Sequence, residues 1–468
     1  MKTKVTFAVL MTIAFAVAVV NASSTPSNPE AVASVYVADF VATAAFGAAI
    51  NDAGDVTGTS YPDPGCGSSC LPPLEPVVWK GGERIVLPNL PGLSGVTPSD
   101  INNMGWVCGF GGSFGFGHAG AWKPNGSTFT PIDMGLLPGT TSSNAIGLDD
   151  SNRAVGYATA SSGTETPFVW TEAGGMMNLV TQGFPGERPL GISPGGSVAS
   201  VGHWYHLGDP GSVLTQPSPP AGFLLENSTV AINDAGDQAR FLVTTGGENL
   251  DYPFRFHHEG TYQQISFAAT GHLSIYGVGS INDAQDITAT VQGVGQIAAG
   301  TDGMLQSLAA LVSPAYGGSV LTSSGPMNSS GQILARMIIG QTGQRLVKLT
   351  PAQPCTSNCI QVTSIRMKGK GPAFCDQGSA QAQAQLTVTN EAGAPLAGVK
   401  ITGHFLDDYW LDEIVSGTTN SRGQVKFKHV GPPCVGGIAF LVTDATTTPA
   451  RTFDRTKGIL TNYVIPLP

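Results

Sequence analysis

A short pattern of apolar and polar residues recurs through the first three quarters of the chain. In all but one of the copies an apolar residue precedes Asn or Asp, followed by turn residues that usually include Gly, and then by strand-forming residues. Because Asn and Asp hydrogen-bond their own backbone and Gly readily adopts positive φ, the pattern predicts a tight hairpin turn. The mean spacing is about 46 residues, and the fourth copy is the weakest match. The copies begin at Ile50, Ile101, Leu148, Ile192, Ile232, Ile281 and Met327.

A second element follows each turn, about 20 to 30 residues later. It is a short apolar strand that often ends in Trp, as in residues 76–79, 119–122 and 167–170. A repeat of this length matches a four-stranded sheet, and one such sheet cannot bury both of its faces alone. The seven copies therefore predict an all-β, seven-bladed β-propeller over residues 32–350. We expect the strand-like residues 35–40 to complete the last blade and close the ring.

These two elements resemble those of a known repeat family. The repeated Ile-Asn-Asp-x-Gly phrase and the run from His118 to Trp122 resemble the HAF extracellular repeat family, named for its His-Ala-Phe element. The resemblance covers residues 32–350, although most copies here lack the His and the fourth copy is degenerate. It implies an exported, bacterial-type β-propeller, and it carries over no catalytic residue.

The last quarter of the chain has a different pattern. Residues 351–358 contain Pro and Cys and predict a short linker. Beyond them, short strands alternate with turns, which is typical of a β-sandwich. Residues 393–401 and 418–427 are similar to segments of bacterial Ig-like surface domains. We therefore predict an Ig-like β-sandwich over residues 359–468.

The first residues have the features of a secretory signal. Lys2 and Lys4 precede the apolar run 5–20, and Val20 and Ala22 are the small residues expected before a cleavage site. A membrane anchor is the alternative, but the run is short for a span of about 20 residues. We predict a signal peptide over residues 1–22, no membrane span in the mature chain, and a secreted or cell-envelope location, extracellular or periplasmic.

Composition and charge narrow the possible partners. The 468 residues include 62 Gly and 33 Pro, only 12% are charged, and the net charge is −10. Few charged residues and many turn formers disfavour helical bundles and coiled coils. The acidic balance, without clustered Lys or Arg, disfavours nucleic acids and anionic membranes. We expect a monomer with an extracellular ligand, either a protein or a polysaccharide.

Seven cysteines lie in the predicted mature chain. Export favours disulfides, and the spacing predicts the pairs Cys66–Cys70, Cys355–Cys359 and Cys375–Cys434. Cys108 is then left as a buried free thiol in a strand. A zinc site built from the two Cys-x3-Cys pairs is the alternative, which the unusual spacing disfavours.

Several motifs could carry chemistry, and each has a simpler structural interpretation. Residues 111–115 match Gly-x-Ser-x-Gly but lie in a glycine-rich loop inside a repeat. His203 and His206 could bind a metal only across a bend, because residues three apart on a strand face opposite sides. His257 and His258 form a weaker pair. Three pairs of carboxylates could suggest calcium, although hairpin-turn chemistry explains them equally: Asp52 and Asp55, Asp234 and Asp237, and Asp283 and Asp286.

The sequence therefore assigns no catalytic, cofactor-binding or metal-binding residue. Three sequons, at Asn125, Asn227 and Asn328, matter only if the source organism glycosylates its proteins. Seven structural repeats without a clustered catalytic set favour an exported, non-enzymatic binding or surface-interaction protein. The alternative is a carbohydrate-active enzyme, a glycosidase or lyase, with its site in the central pocket of the propeller. A purely architectural spacer of the cell envelope is a third, weaker interpretation.

Overall fold

The structure is a computed structural model, and it is all-β apart from a few short helical turns. Ser34–Pro468 form one compact unit. The predicted signal peptide lies outside the described residues. The structure describes residues 35–43, 45–62, 73–113, 116–225, 231–245, 251–267, 275–291, 295–299, 304–340, 342–371, 379–407, 412–431 and 436–466.

Within the described part of residues 35–352, the strands form seven sheets of four or five strands, which we number 1 to 7 along the chain. Pairing is antiparallel except for one short parallel pair in sheet 6. Sheet 1 comprises Ala45–Ile50, Val56–Ser60, Glu75–Lys80 and Glu83–Val86. Sheet 2 comprises Val96–Ile101, Val107–Gly111, His118–Asn125 and Thr128–Gly135. Sheet 3 comprises Ser142–Leu148, Ala154–Thr159, Glu165–Thr171 and Gly175–Asn178.

The later sheets follow the same plan with more variation. Sheet 4 comprises Pro189–Ile192, Ser197–Ser200, His203–His206 and Asp209–Thr215. Sheet 5 comprises Phe223–Leu225, Ala231–Ile232, Gln238–Thr244, Asp251–Phe256 and Tyr262–Gln264. Sheet 6 comprises Ser266–Phe267, Ile275–Ile281, Ile287–Val291, Gly295–Ala299 and Met304–Ser307. Sheet 7 comprises Val320–Met327, Ile333–Ile338, Gln344–Ala352 and the N-terminal strand Val35–Thr43.

The sheets are arranged as a closed ring, which is β-propeller-like. In each sheet the strand before the recurring turn, here called the inner strand, contacts the inner strand of the next sheet. The inner strand of sheet 7 contacts that of sheet 1, so the circuit is complete. Stacking sheets in this way covers the faces that a single sheet would leave exposed.

The tryptophans of the second sequence element lie between neighbouring sheets. Trp79 of sheet 1 shares a core with Leu334 of sheet 7. Trp122 of sheet 2 shares a core with Val78 of sheet 1. Trp170 of sheet 3 packs in the same way with residues of sheet 2. The Trp residues of the second sequence element are therefore the side chains that pack against the preceding sheet.

The ring is closed by the N-terminal strand, as the sequence predicted. Val35–Thr43 pairs antiparallel with Gln344–Ala352, with a bulge between Phe40 and Ala42. Arg455, from the C-terminal region, donates to Asp39 and to the carbonyl of Ala38, and it donates to the Tyr316 hydroxyl at 2.9 Å. The closing strand is thus held both by sheet 7 and by the C-terminal region.

The C-terminal region forms two further sheets in the described residues, numbered 8 and 9. Sheet 8 comprises Cys359–Lys370, Ala380–Thr389, Gln424–Gly431 and Thr452–Phe453. Sheet 9 comprises Lys400–Asp407, Asp412–Thr418, Ile438–Thr446 and Thr461–Val464. The helical elements described are the α-helix Leu308–Leu311 and the 3-10 turns Val180–Gln182 and Pro314–Tyr316. No helix within the described residues is long and apolar enough to cross a membrane.

One hydrophobic core joins sheet 7 to sheets 8 and 9. It includes Leu349 of sheet 7, Ile360 of sheet 8 and Phe440 of sheet 9, all fully buried. The backbone N–H of Leu460 donates to the carbonyl of Ala315 at 2.7 Å across the same boundary. Because the core is continuous, we expect the two regions to stabilise each other.

The predicted Cys355–Cys359 disulfide is confirmed, at an S–S distance of 2.03 Å. That bond also removes the zinc alternative for this pair. Cys108 is a buried free cysteine, as predicted, and burial raises the pKa of its thiol, which keeps it protonated. The predicted pairs Cys66–Cys70 and Cys375–Cys434 lie outside the described residues.

Candidate functional site

The recurring turn has one geometry in all seven sheets. In sheet 1 the Asn51 side-chain oxygen accepts the backbone N–H of Asp55 at 2.8 Å, and Gly54 adopts a φ of 79°. We call the position of Asn51 the first turn position. In sheets 2 to 7 it is occupied, in order, by Asn102, Asp149, Ser193, Asn233, Asn282 and Asn328. Each accepts the backbone N–H four residues later. The recurring phrase is therefore a side-chain-capped turn.

The fourth copy, which the sequence presents as degenerate, keeps this geometry. The Ser193 hydroxyl accepts the N–H of Ser197 at 3.1 Å in place of an amide oxygen, and Gly196 has a φ of 94°. A hydroxyl and an amide oxygen are equivalent acceptors in such turns. Sequence reasoning undervalued this copy because it compared residue names instead of acceptor atoms.

At four of the seven first turn positions the side chain also links neighbouring sheets. Four amide groups donate to a carbonyl of the next sheet: Asn51 to Asn102 at 3.0 Å, Asn102 to Asp149 at 2.7 Å, Asn233 to Asn282 at 3.1 Å, and Asn328 to Asn51 at 2.9 Å. The last of these bonds joins residues 277 apart in sequence. An amide suits this position because it accepts within its own turn and donates to the next turn.

Sheet 3 makes the same link with a different side chain. Asp149 has no N–H to donate, but it accepts from Arg153 Nε at 2.6 Å. Arg153 in turn donates to the carbonyl of Leu207 in sheet 4 at 2.9 Å. The ion pair therefore replaces the missing amide.

The next residue of the turn, here called the second turn position, takes part in hydrogen bonds between five pairs of neighbouring sheets. Backbone N–H groups donate to the side chain at the second position of the next sheet's turn: Asp52 to Asn103 at 2.8 Å, Asn103 to Asp150 at 2.9 Å, Asp234 to Asp283 at 2.9 Å, and Ser329 to Asp52 at 2.9 Å. In sheet 4 the donor is Gly195, one position further along the turn, which donates to Asp234 at 2.5 Å. These carboxylates, including three that suggested calcium, hold adjacent sheets together.

The ring of turns surrounds a central cavity of about 280 Å³. All seven inner strands contribute to its wall, which is apolar apart from the turn residues and a few side chains such as Asp100 and Ser280. Asp100 accepts the N–H of Leu148 at 2.9 Å and that of Ile101 at 2.8 Å. Burial raises the pKa of Asp100, although these two hydrogen bonds lower it. A carboxyl group with a raised pKa can act as a proton donor.

We expect Asp283→Asn to stabilise the protein at neutral pH. Burial raises the pKa of Asp283, the bond from Asp234 lowers it, and the carboxylates of Asp234 and Asp52 raise it further. A raised folded-state pKa means that stability is greatest below the unfolded-state pKa and is lost as pH rises through the folded-state pKa. Asn keeps the acceptor without the charge. Because the group is largely exposed and screened, the gain is at most about 1 kcal/mol.

The measurement is thermal unfolding in low salt at pH 7 and at pH 3.5. The gain should be present at pH 7 and clearly smaller at pH 3.5, because the carboxyl group of Asp283 becomes protonated as the pH falls. Glu259→Gln, at an exposed turn, is the control and should change neither value. A gain of equal size at both pH values would contradict the explanation.

The histidine candidates do not converge on one site. His203 Nδ1 lies 3.1 Å from Glu187, and the backbone N–H of His206 instead donates to Ser212. His257 and His258 each lie 3.4 Å from the buried carboxylate of Asp237. Among the described residues, no three His, Cys, Asp or Glu side chains are grouped so that they could hold a metal ion.

The remaining motifs have structural surroundings. Ser113 of the Gly-x-Ser-x-Gly match is exposed between two strands, whereas a hydrolase elbow requires a following helix. Residues 114–115 of that match lie outside the described residues. Asn125 is an exposed sequon, Asn328 is buried in the ring of turns, and Asn227 lies outside the described ranges.

The sequence matches no protein-family model and no curated protein. Three solved structures are similar at low identity. YCF48 from Cyanidioschyzon merolae is 14% identical over 68% of this chain and 98% of that chain, with a TM-score of 0.36. AofleA from Arthrobotrys oligospora is 11% identical over 86% and 90%, with a TM-score of 0.21. An ulvan lyase of a new polysaccharide lyase family is 11% identical over 92% and 96%, with a TM-score of 0.25. Scores this low carry no argument about function.

Proposed function

We propose that this chain is an exported, non-enzymatic binding or surface-interaction protein. In this proposal residues 32–350 form a seven-bladed β-propeller of HAF-like repeats, and residues 359–468 form an Ig-like β-sandwich. The mature protein begins after residue 22 and acts as a monomer in the cell envelope or outside the cell. The Cys355–Cys359 disulfide supports an oxidising compartment.

The observation that carries the proposal is the use of the polar turn residues. The amides and carboxylates at the first and second turn positions accept or donate hydrogen bonds within and between sheets. Residues engaged in this way build a rigid ring and are not available for catalysis without loss of structure. Rigid scaffolds that display loops are suited to recognition.

The alternative is a carbohydrate-active enzyme with its site in the central cavity. One observation favours it: Asp100 has a raised pKa and lines a cavity that Asp52 and Asp283 also reach. A glycosidase needs a protonated carboxyl and a second, ionised one. The cavity therefore offers the residue types, and a functional measurement must distinguish the two proposals.

The experiment is a screen of the purified chain against neutral and acidic polysaccharides. Binding is measured by affinity electrophoresis, and cleavage is measured by reducing ends and by the absorbance of unsaturated uronates. We expect retardation by at least one polysaccharide and no product. Product release that is lost in Asp100→Asn but kept in Glu259→Gln would overturn the proposal in favour of the enzyme. Failure to bind any member of the panel would also count against a polysaccharide ligand.

A further inference from the structure

An arginine and an exposed aromatic ring meet at the contact between sheets 7 and 1. Arg336 Cζ lies 4.3 Å from the centroid of the Phe46 ring. Phe46 is 41% exposed. A cavity of about 90 Å³ adjoins the pair and is also lined by Gly47, Ser323 and Leu334. Since one water occupies about 30 Å³ in the liquid, this cavity has room for a carboxylate or sulfate group.

The Arg336 guanidinium has no carboxylate counter-ion among the described residues. No carboxylate of the described residues lies within ion-pair distance of it, and its Nε is buried without a hydrogen-bond partner. Burial lowers the pKa of Arg336, and no neighbouring carboxylate offsets that effect. A buried donor without an acceptor is unfavourable, and a charged one more so. An anion in the adjoining cavity would satisfy it.

The ring contains an equivalent pair that does have a counter-ion. At the contact between sheets 3 and 4, Arg188 Cζ lies 3.9 Å from the centroid of the Tyr157 ring. Arg188 and Phe46 each lie five residues before the first turn position of their sheet, while Tyr157 and Arg336 each lie eight residues after it. There, Arg188 donates to Glu165 at 3.5 Å.

The residue of sheet 7 that corresponds in register to Glu165 is neutral. Glu165 pairs with Thr159 in sheet 3, and Gln344 pairs with Ile338 at the corresponding place in sheet 7. A guanidinium–aromatic contact thus occurs at both places, with the arginine and the aromatic residue exchanged between the two positions. Among the described residues a carboxylate pairs with Arg188 but not with Arg336.

We propose that Arg336 and Phe46 form a binding site for an acidic sugar unit of a polysaccharide. The guanidinium binds the carboxylate or sulfate group in the cavity, and the exposed part of the Phe46 ring contacts the apolar face of the sugar. Guanidinium groups bind such planar or tetrahedral anions through paired, charge-assisted hydrogen bonds. The inference rests on the proposed binding function and names its ligand class.

The test is isothermal titration calorimetry of the full mature chain with three oligosaccharides of equal length. One carries carboxylates only, a hyaluronan hexasaccharide; one carries sulfate esters only, a carrageenan hexasaccharide; and maltohexaose is neutral. We expect one or both acidic probes to bind and maltohexaose not to bind. The acidic probe that binds identifies the anion.

Three variants locate the site. Arg336→Ala removes the cation and Gln344→Glu supplies the missing counter-ion, so each should weaken binding about tenfold or more. Arg188→Ala, at the pair that Glu165 neutralises, is the matched control. It should leave the affinity within about twofold of the original protein, because that guanidinium already has a carboxylate partner. Thermal unfolding of each variant verifies that it is folded.

The outcomes separate this inference from the proposed function. Undiminished binding of an acidic probe by Arg336→Ala would overturn the site and leave the binding function intact. Equal affinity for maltohexaose would overturn the ligand class. Failure of both acidic probes would overturn the inference, whereas the proposed function is judged on the wider polysaccharide panel. Cleavage of a probe would overturn the non-enzymatic function. The affinity of Arg336→Ala for the probe would then still decide whether Arg336 forms the binding site.

Discussion

A chain that begins at Ala45 instead of Ser34 will fail to fold into a stable ring. It lacks the closing strand, so the backbone groups of Gln344–Ala352 that pair with that strand lose their partners. The buried Val37 and the partly buried Phe40 leave the core that joins sheet 7 to the C-terminal region, at about 1.5–3 kcal/mol for Val37 and less for Phe40. Arg455 is left without Asp39, its ion-pair partner. Together these losses approach the total stability of an ordinary domain, about 5–15 kcal/mol.

The measurement compares the chain that begins at Ala45 with the chain that begins at Ser34. Both are analysed by circular dichroism, gel filtration and thermal unfolding. The longer chain should be monomeric and unfold cooperatively, and the shorter one should be aggregated or unfolded. A synthetic peptide of residues 34–44, added during refolding, should restore part of the signal. Cooperative unfolding of the shorter chain at an unchanged temperature would show that sheet 7 does not depend on its fourth strand.

Asn51→Asp should produce the largest effect of any single substitution in the ring of turns. The new carboxylate still accepts from the N–H of Asp55, but it has no N–H for the carbonyl of Asn102, 3.0 Å away. Two buried acceptors then face each other, one of them charged. We expect a loss of about 3–4 kcal/mol at pH 7, the combined effect of an unsatisfied carbonyl and a poorly solvated charge.

The size of this loss should depend on pH. Burial and the facing carbonyl should raise the pKa of the introduced carboxyl above its unfolded value of about 3.9. The stability is therefore retained at low pH, where the protonated group can donate to Asn102, and is lost as pH rises through the raised pKa. Chemical unfolding at pH 4 and pH 7 should show a smaller deficit at pH 4.

The control is Ser329→Ala, at an exposed second turn position, which should change stability by no more than about 0.5 kcal/mol. A deficit for Asn51→Asp that is below this level at pH 7, or equal at both pH values, would mean that the Asn51 amide does not link the sheets.

Much of the local structure could be predicted from the sequence. A side-chain acceptor at the first turn position and a residue of positive φ, usually Asn and Gly, specify the conformation of each turn through bonds between residues at most four apart, such as Asn51 and Asp55. The Trp pattern identified the strands that bury the contact between sheets. The fourth copy forms the same turn for the same reason, because the Ser193 hydroxyl accepts the hydrogen bond that an Asn side chain accepts in other turns.

The candidate site could not be predicted in the same way. Residues 52 and 283 are 231 positions apart, and nothing in the local pattern shows that both line one cavity. Likewise, Arg336 and Phe46 come together only because the ring closes, and the neutral Gln344 matters only when its place is compared with that of Glu165.

The sequence by itself determined the all-β class, the repeated turns, the Cys355–Cys359 bond and the strand that closes the ring. Only the tertiary structure decided that the turn carboxylates join neighbouring sheets, that sheets 7, 8 and 9 share one core, and that Arg336 lies against Phe46. The physical reason is the range of the interactions. A turn is specified by hydrogen bonds among adjacent residues, whereas burial and charge pairing depend on which distant segments meet.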